Sequence, residues 1–358
     1  MRCIYVILLC LLMFVTSAQE SQFSQYFSTT SFLNPAFTGA IPNMTLNTNY
    51  KRAGDEQDNE YQELIQTTFT YPFRKFTSKF NQVGGAGITF FKESRGAFSL
   101  YQSTKILLNG AYTMRLSRLS NKYLIFGLQG GIVQQKIGQN LRWGSQFSRY
   151  LGIRQAEING HEPGYDDSLP GEIIGEASVF YPIFNFGVIY TAFDNANFYI
   201  RDKTLTVGLS IDNLNRPSFA YDDAGIIQSQ KFWLVKTFGS AKMELGPRWY
   251  IYPSAFVAYS QGNIQVNAGT YFSTFVSSIR SKTAVMLQTG TWYRVGDSII
   301  GMLGVQVENI KVGFSVDLNS EDFGFDRAGD GAFPTYEISM ALNLNTKSPL
   351  GNVSSPIF

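Results

Sequence analysis

The stretch Lys311–Asn319, "KVGFSVDLN", alternates between apolar and polar side chains. Its apolar positions share one face and its charged and hydroxyl positions share the other, because successive side chains of a strand point to opposite sides. The same period of two recurs in Thr335–Asn345 and in Ile264–Phe272. These stretches predict β-strands with one apolar and one polar face.

Three features of these segments favour a membrane barrel over a soluble β-sandwich, which would show the same alternation. The segments run for about 9 to 14 residues, the length that a tilted membrane strand needs. Aromatic pairs such as Trp249–Tyr250 and Trp292–Tyr293 stand near segment ends, where membrane barrels carry interfacial girdles. Glycines and polar residues fill the face where a sandwich would need its core. We predict an all-β fold, a single closed antiparallel transmembrane β-barrel.

The segments number about 14, an even count for the predicted barrel. They start near Met44, Glu60, Gln82, Phe98, Lys122, Ser178, Asn197, Ser229, Arg248, Asn263, Lys282, Ser298, Asn309 and Thr335. An even count places both termini on one side, which we expect to be the periplasm. Acidic residues concentrate in the odd-numbered links and basic residues in the even-numbered ones, and chance is the alternative explanation. This split predicts that the odd-numbered links face the cell exterior.

Residues 1–18 are typical of a secretory signal peptide, with a positive start, a short apolar run and small residues before the predicted cleavage site. Both cysteines, Cys3 and Cys10, lie in this peptide, so the mature chain has no thiol for a disulfide or a metal. His161 is the single histidine. No later segment is apolar enough for a transmembrane helix. We predict no enzyme activity, cofactor, metal or nucleic-acid partner, although the acidic links leave calcium binding open.

The segment after the signal peptide, residues 19–42, is rich in aromatics but fits neither a helix nor a strand. Pro35 and Pro42 cannot donate to a sheet ladder, and an irregular backbone cannot face lipid because its polar groups would stay unpaired there. We therefore expect it to fill the lumen or the periplasmic mouth of a barrel formed by residues 43–346. The predicted plug residues are Phe23, Tyr26, Phe27, Phe32, Asn34, Pro35 and Phe37. Residues 347–358 would be a periplasmic tail.

Several motifs follow one another along the chain. They are "QFSQY" and "FLNPAFTGA" within residues 22–40, "GLSIDNLNRP" at Gly208–Pro217, "GTWYRVGDSIIGMLGVQ" at Gly290–Gln306, "VGFSVDLN" at Val312–Asn319, "TYEISMALNLN" at Thr335–Asn345 and the tail "SPIF". Their order resembles the PorP/SprF family, outer-membrane proteins of the type IX secretion system of the Bacteroidetes. The resemblance covers nearly the whole mature chain. It departs at Lys51–Gly54, where the family often has Arg-Asn-Gln-Trp.

The resemblance implies an outer-membrane component that helps to secrete or hold a large cell-surface adhesin, including adhesins used in gliding motility. The implied partners are membrane lipid and lipopolysaccharide, the adhesin or its C-terminal domain, and periplasmic proteins of the secretion system. A FadL-like channel for small or hydrophobic solutes is the alternative, since an Asn-Pro-Ala hatch also occurs among such channels and leaves Asn34–Ala36 ambiguous.

Two candidate partner faces follow from the predicted orientation. Long outward links carry aromatics that are plausible anchors for an exported protein, namely Trp143, Phe147, Tyr150, Tyr165, Phe323 and Phe325. These aromatics could instead fold the links over the barrel mouth as a lid. The candidate periplasmic face is basic and comprises Arg74, Lys75, Arg115 and Arg118.

Overall fold

The computed structural model describes residues 22–55, 60–74, 82–96, 100–116, 121–137, 178–195, 202–220, 228–246, 248–276, 284–319 and 335–344. Fourteen antiparallel strands close into one barrel. They are β1 (Met44–Asp55), β2 (Glu60–Arg74), β3 (Gln82–Arg95), β4 (Tyr101–Arg115), β5 (Asn121–Ile137), β6 (Ser178–Asn195), β7 (Asp202–Asp212), β10 (Leu234–Gly246), β11 (Trp249–Ser260), β12 (Asn263–Phe275), β13 (Val285–Arg294), β14 (Ser298–Val307), β15 (Ile310–Asn319) and β16 (Thr335–Leu344).

Each barrel strand pairs with the barrel strands before and after it in the chain, and β16 returns to pair with β1. At this seam Met44 stands opposite Leu344, and Arg52 stands opposite Tyr336. The closed meander of 14 strands confirms the predicted fold.

One predicted strand start marks a different element. The segment placed near Ser229 begins with β9 (Gln228–Gln230), which pairs with β8 (Ser218–Ala220) in a separate two-stranded sheet, so the barrel strand β10 begins only at Leu234. The ring of Phe219 stacks on that of Tyr181, with 4.5 Å between centroids. This hairpin therefore packs against β6 and is not part of the barrel wall.

The alternating apolar and polar residues of each strand lie on the outer and inner faces of the barrel wall. On β15, Phe314 is 44% exposed on the outside, whereas Lys311, Ser315 and Asp317 are buried on the inside. Exposed aromatics cluster near the two ends of the strands, and they include Tyr71, Phe73, Tyr112 and Trp249 at one end and Phe180, Trp233, Tyr259 and Tyr293 at the other. This is the arrangement of an apolar band between aromatic girdles. Within the described ranges, no helix is long and apolar enough to cross a membrane.

The girdle interpretation of Trp292 is wrong. Its indole is 1% exposed and stacks on Phe27 inside the barrel, while its neighbour Tyr293 is 47% exposed on the outer face. Adjacent residues of a strand cannot share a face, so only one of the pair can join a girdle. The inner wall around Trp292 also carries Phe238, Tyr252, Phe256 and Tyr271.

The two ends of the barrel differ in their links. The end where β1 begins and β16 ends is the terminal end. The opposite end, here the long-link end, carries residues 138–177, 213–233 and 320–334, which are the longest connections between barrel strands.

Candidate functional site

The N-terminal segment Gln22–Pro42, here the plug, lies in the lumen. It contains two 3₁₀ turns, Tyr26–Ser28 and Thr30–Phe32, and one α-helical turn, Phe37–Ala40. We expected this segment to have no regular structure, and it contains these three short turns. Short turns pair part of the backbone locally, as in the 2.8 Å bond from the Ser28 amide to the Gln25 carbonyl, and the wall pairs much of the rest.

The plug runs along the barrel axis, from the long-link end towards the terminal end. Its last residues lie at the terminal end, where Arg74 donates to the Pro42 carbonyl and Gln82 donates to the Ile41 carbonyl at 2.8 Å. Its first described residue, Gln22, accepts a 2.9 Å bond from Lys51, which lies in the half of β1 nearer the long-link end. The plug thus enters β1 after traversing much of the lumen.

The hydroxyl of Ser24 lies among three charged side chains. It donates to Asp317 at 2.5 Å and accepts bonds of 3.0 Å from both Lys51 and Arg294. Arg294 also lies 3.1 Å from the Asp317 carboxylate, and Lys51 lies 3.6 Å from it. Because all three side chains are buried, their charges are stabilised by one another and by Ser24 rather than by water.

A fourth charge, Glu337, fixes the next residue of the plug. Its carboxylate accepts the backbone amide of Ser24 at 2.6 Å and that of Gln25 at 3.2 Å. The Gln25 side chain donates to Ser315 at 3.1 Å and accepts from Ser339 at 2.6 Å. We call the four charged wall residues Lys51, Arg294, Asp317 and Glu337 the charge cluster. It balances two positive against two negative side chains around residues 24–25.

Further along, the Asn34-Pro35-Ala36 turn is held in a cradle of glycines. The Asn34 side chain donates to the carbonyls of Val188 and Leu209 at 3.3 and 3.0 Å, and its oxygen accepts the Ala36 amide at 2.9 Å. A methyl group on Gly127 would lie 2.2 Å from the Ala36 nitrogen, and one on Gly187 would lie 2.1 Å from the Asn34 side-chain oxygen. The wall therefore has no room for a side chain there.

The plug aromatics pack on aromatics of the wall. Tyr26 stacks on Phe256 and Phe37 stacks on Phe238, each with 5.1 Å between centroids. The Tyr26 hydroxyl donates to Ser254 at 2.7 Å. Burial raises the pKa of this hydroxyl well above its usual range, so Tyr26 stays a neutral donor at physiological pH.

The structure brings all seven predicted plug residues into the lumen. It places Arg74 and Arg115 of the basic face at the terminal end, where Arg74 contacts the plug and Arg115 lies 3.5 Å from the Asn121 side chain. The following predicted partner-face residues lie outside the described residues: Lys75, Arg118, Trp143, Phe147, Tyr150, Tyr165, Phe323 and Phe325.

The charge cluster was not predicted as a site. The available signal was a charged residue at an inward position of a strand, such as Asp317 or Glu337. The pattern could not indicate which charges meet across the lumen. Among the described residues, no group of three or more His, Cys, Asp or Glu side chains could hold a metal ion.

The family is shown by a profile described as "Type IX secretion system membrane protein PorP/SprF", which matches residues 15–342. The chain belongs to the PorP/SprF family. This confirms the resemblance carried by the ordered motifs. No curated protein matches the chain.

Three solved structures match this PorP/SprF chain at low sequence identity. The toluene transporter TbuX of Ralstonia pickettii is 9% identical with a TM-score of 0.45, covering 87% of this chain and 92% of its own. A FadL homologue of Pseudomonas aeruginosa is 11% identical with a TM-score of 0.44, covering 89% and 94%. The toluene transporter TodX of P. putida is 11% identical with a TM-score of 0.43, covering 88% and 93%.

Proposed function

We propose that this barrel helps to secrete a large cell-surface protein, or to hold it at the cell surface, as part of the type IX secretion system. The observation that carries the proposal is the occupied lumen in a member of this family. The plug is bonded to β1 and β16 through Asn49 and Glu337, to β7 through Ser210, and to β10 through Lys236. A lumen filled by its own chain favours a role at the two barrel ends rather than as an open pore.

The orientation we propose puts the long-link end outside and the terminal end in the periplasm. Membrane barrels usually have short periplasmic turns and longer extracellular loops, and here the longest links share one end. The exported protein or its C-terminal domain would then bind the outer links, and periplasmic secretion proteins would meet the basic terminal end, which includes Arg74 and Arg115.

Alanine substitution of Trp143, Phe147 and Phe323 tests this proposal. We expect less exported protein on the cell surface and less of it co-purifying with the barrel, while the barrel still folds. The matched control is alanine at Phe180 and Trp233, which are exposed aromatics at the same end of the wall. If both sets of variants retain normal surface protein, the outer-link site is wrong, and alanine at Arg74 and Arg115 then tests the periplasmic face.

A solute channel remains the second candidate, and a cavity of about 470 Å³ above the plug favours it. Uptake of hydrophobic solutes by cells with and without this chain separates the two roles. A secretion component leaves uptake unchanged and alters the surface protein, whereas a channel does the reverse.

A further inference from the structure

The cavity of about 470 Å³ lies at the long-link end of the lumen, on top of the plug. Its lining includes residues at the ends of strands that finish or begin there, such as Arg95 on β3, Tyr101 on β4 and Asp212 on β7. The volume falls within the range of about 300–1,000 Å³ that is usual for small-ligand sites.

The floor of the cavity is aromatic. Phe23 and Phe32 come from the plug and Phe91 comes from the wall. Phe32 stacks on Phe91 with 4.7 Å between centroids, and Phe23 meets both rings edge-on at 6.0 and 6.4 Å. Phe23 and Phe91 are almost fully buried, so these rings are fixed by packing. Such a floor accepts the apolar body of a ligand.

The described residues of the cavity rim are positively charged overall. They include four basic side chains, Arg95, Lys105, Lys231 and Lys236, and two acidic ones, Glu93 and Asp212. Both acids already form ion pairs within the rim, Glu93 with Arg95 and Asp212 with Lys236 at 2.7 Å. Among the described lining residues, positive side chains therefore outnumber negative ones by two.

Lys105 joins the charged rim to the aromatic floor. It is half-buried on β4, and its ammonium group lies 5.0 Å from the centroid of the Phe91 ring. An anionic group bound beside Lys105 would thus leave its attached apolar body next to Phe91. Lys105 would therefore bind the anionic group of an amphipathic ligand, and Phe91 would lie next to its apolar body.

We propose that this cavity binds an organic carboxylate with an aromatic or aliphatic body. The carboxylate lies against the basic rim near Lys105, and the body lies on the partly exposed ring of Phe32, which packs against Phe23 and Phe91. Two sources offer this chemistry, a free organic acid and the C-terminal carboxylate of a peptide that ends in an apolar residue. The inference goes beyond the secretion role, because it rests on the cavity alone.

Calorimetric titration of the full-length protein in nanodiscs of zwitterionic lipid tests the proposal. The probes are 4-phenylbutyrate, its neutral analogue 4-phenylbutanol, and a hexapeptide ending in phenylalanine with a free or an amidated C-terminus. We expect each carboxylate that fits to bind at least about tenfold more tightly than its neutral analogue at low salt, since bonds to charged groups are the stronger ones. Binding of 4-phenylbutyrate alone identifies a free acid, and binding of the free-carboxylate peptide alone identifies a chain terminus.

Two substitutions locate the site. Lys105→Gln should remove the preference for the carboxylate and leave 4-phenylbutanol binding unchanged, whereas Phe91→Leu should weaken both ligands. The matched control is Lys242→Gln, because the Lys242 ammonium lies 4.9 Å from the Tyr250 ring centroid but at the other end of the lumen. Equal binding of acid and alcohol, no binding of any probe, or equal effects of the two lysine substitutions would each overturn the proposal. None of these outcomes depends on secretion, so the two proposals fail separately.

Discussion

Ser24 contacts every member of the charge cluster. Its hydroxyl is shared by Asp317, Lys51 and Arg294, and its amide is bound by Glu337. A serine is small enough to let four charged groups converge, and its hydroxyl both donates and accepts. Ser24, itself uncharged, therefore forms hydrogen bonds with all four buried charged side chains.

Ser24→Ala should lower the free energy of unfolding by about 1–3 kcal/mol, because it leaves buried charged groups with one partner fewer. The urea concentration at the midpoint of unfolding of the refolded barrel measures the change. Ser273→Ala is the control, since the Ser273 hydroxyl is equally buried but has no hydrogen-bond partner among the described residues. Equal midpoints for the two variants would show that the cluster does not depend on Ser24.

Gly127→Ala should displace the Asn34-Pro35-Ala36 turn and cost about 1–3 kcal/mol, the usual effect of overpacking. The added methyl group would lie 2.2 Å from the Ala36 nitrogen. Gly110→Ala is the matched control on the neighbouring strand, because nothing lies within 4 Å of its added methyl group. Limited proteolysis of the plug and the unfolding midpoint both report the difference. If the Gly127→Ala variant is as stable and as resistant to proteolysis as Gly110→Ala, the wall does not need a glycine beside the Asn34-Pro35-Ala36 turn.

The plug is a short element that owes its conformation to the wall. Its turns are three or four residues long, too short to be stable in water by themselves. Residues 24–25 are fixed by charges, residues 34–36 by glycines and carbonyls, and the aromatics by stacking. The same groups that order this segment also hold it inside the lumen.

Deletion of residues 22–38 should open the barrel to ions or destabilise it. Conductance across planar bilayers containing the purified protein measures the first effect, and the unfolding midpoint measures the second. Phe219→Ala is the control, since it loosens the β8–β9 hairpin on Tyr181 without touching the plug. A deletion variant that is stable and does not conduct would remove the basis for describing the segment as a plug.

The elements were more predictable than their contacts. Alternation and segment length located the wall because each strand must present an apolar face to lipid whatever its neighbours are. The inward direction of Trp292 could not be deduced, since Tyr293 beside it satisfies the same girdle pattern. The separation of β9 from β10 was also missed, because the polar stretch around Ser229 has no distinguishing period. Contacts such as Ser24 with Glu337 depend on closure of the whole ring, which no local pattern encodes.

The whole barrel depends on the seam between its first and last strands. Residues directly opposite each other in an antiparallel pair have Cα atoms about 4.5–5.5 Å apart, which suits a disulfide. Asn47→Cys with Ala341→Cys, an opposed pair of β1 and β16, should therefore form a disulfide and raise the temperature of unfolding.

The shift of the non-reduced band on a denaturing gel measures the cross-link. The control pair is Asn47→Cys with Thr270→Cys, because Thr270 lies on β12, away from the seam. Cross-linking of the control pair, or none at the seam, would be incompatible with the closed ring.

The plug also has a consequence for the order of assembly. Ser24 and Glu337 are 313 positions apart in the chain, and Ser24 and Asp317 are 293 apart. The part of the chain made early is therefore fastened by the two strands made last, and such long-range contacts form slowly. Until β16 docks, residues 24–25 lack the Glu337 carboxylate that accepts both of their backbone amides. The plug can therefore form all of its contacts only after the ring of strands is complete. In a barrel truncated before β16, the N-terminal segment should be bound less tightly and should be sensitive to protease.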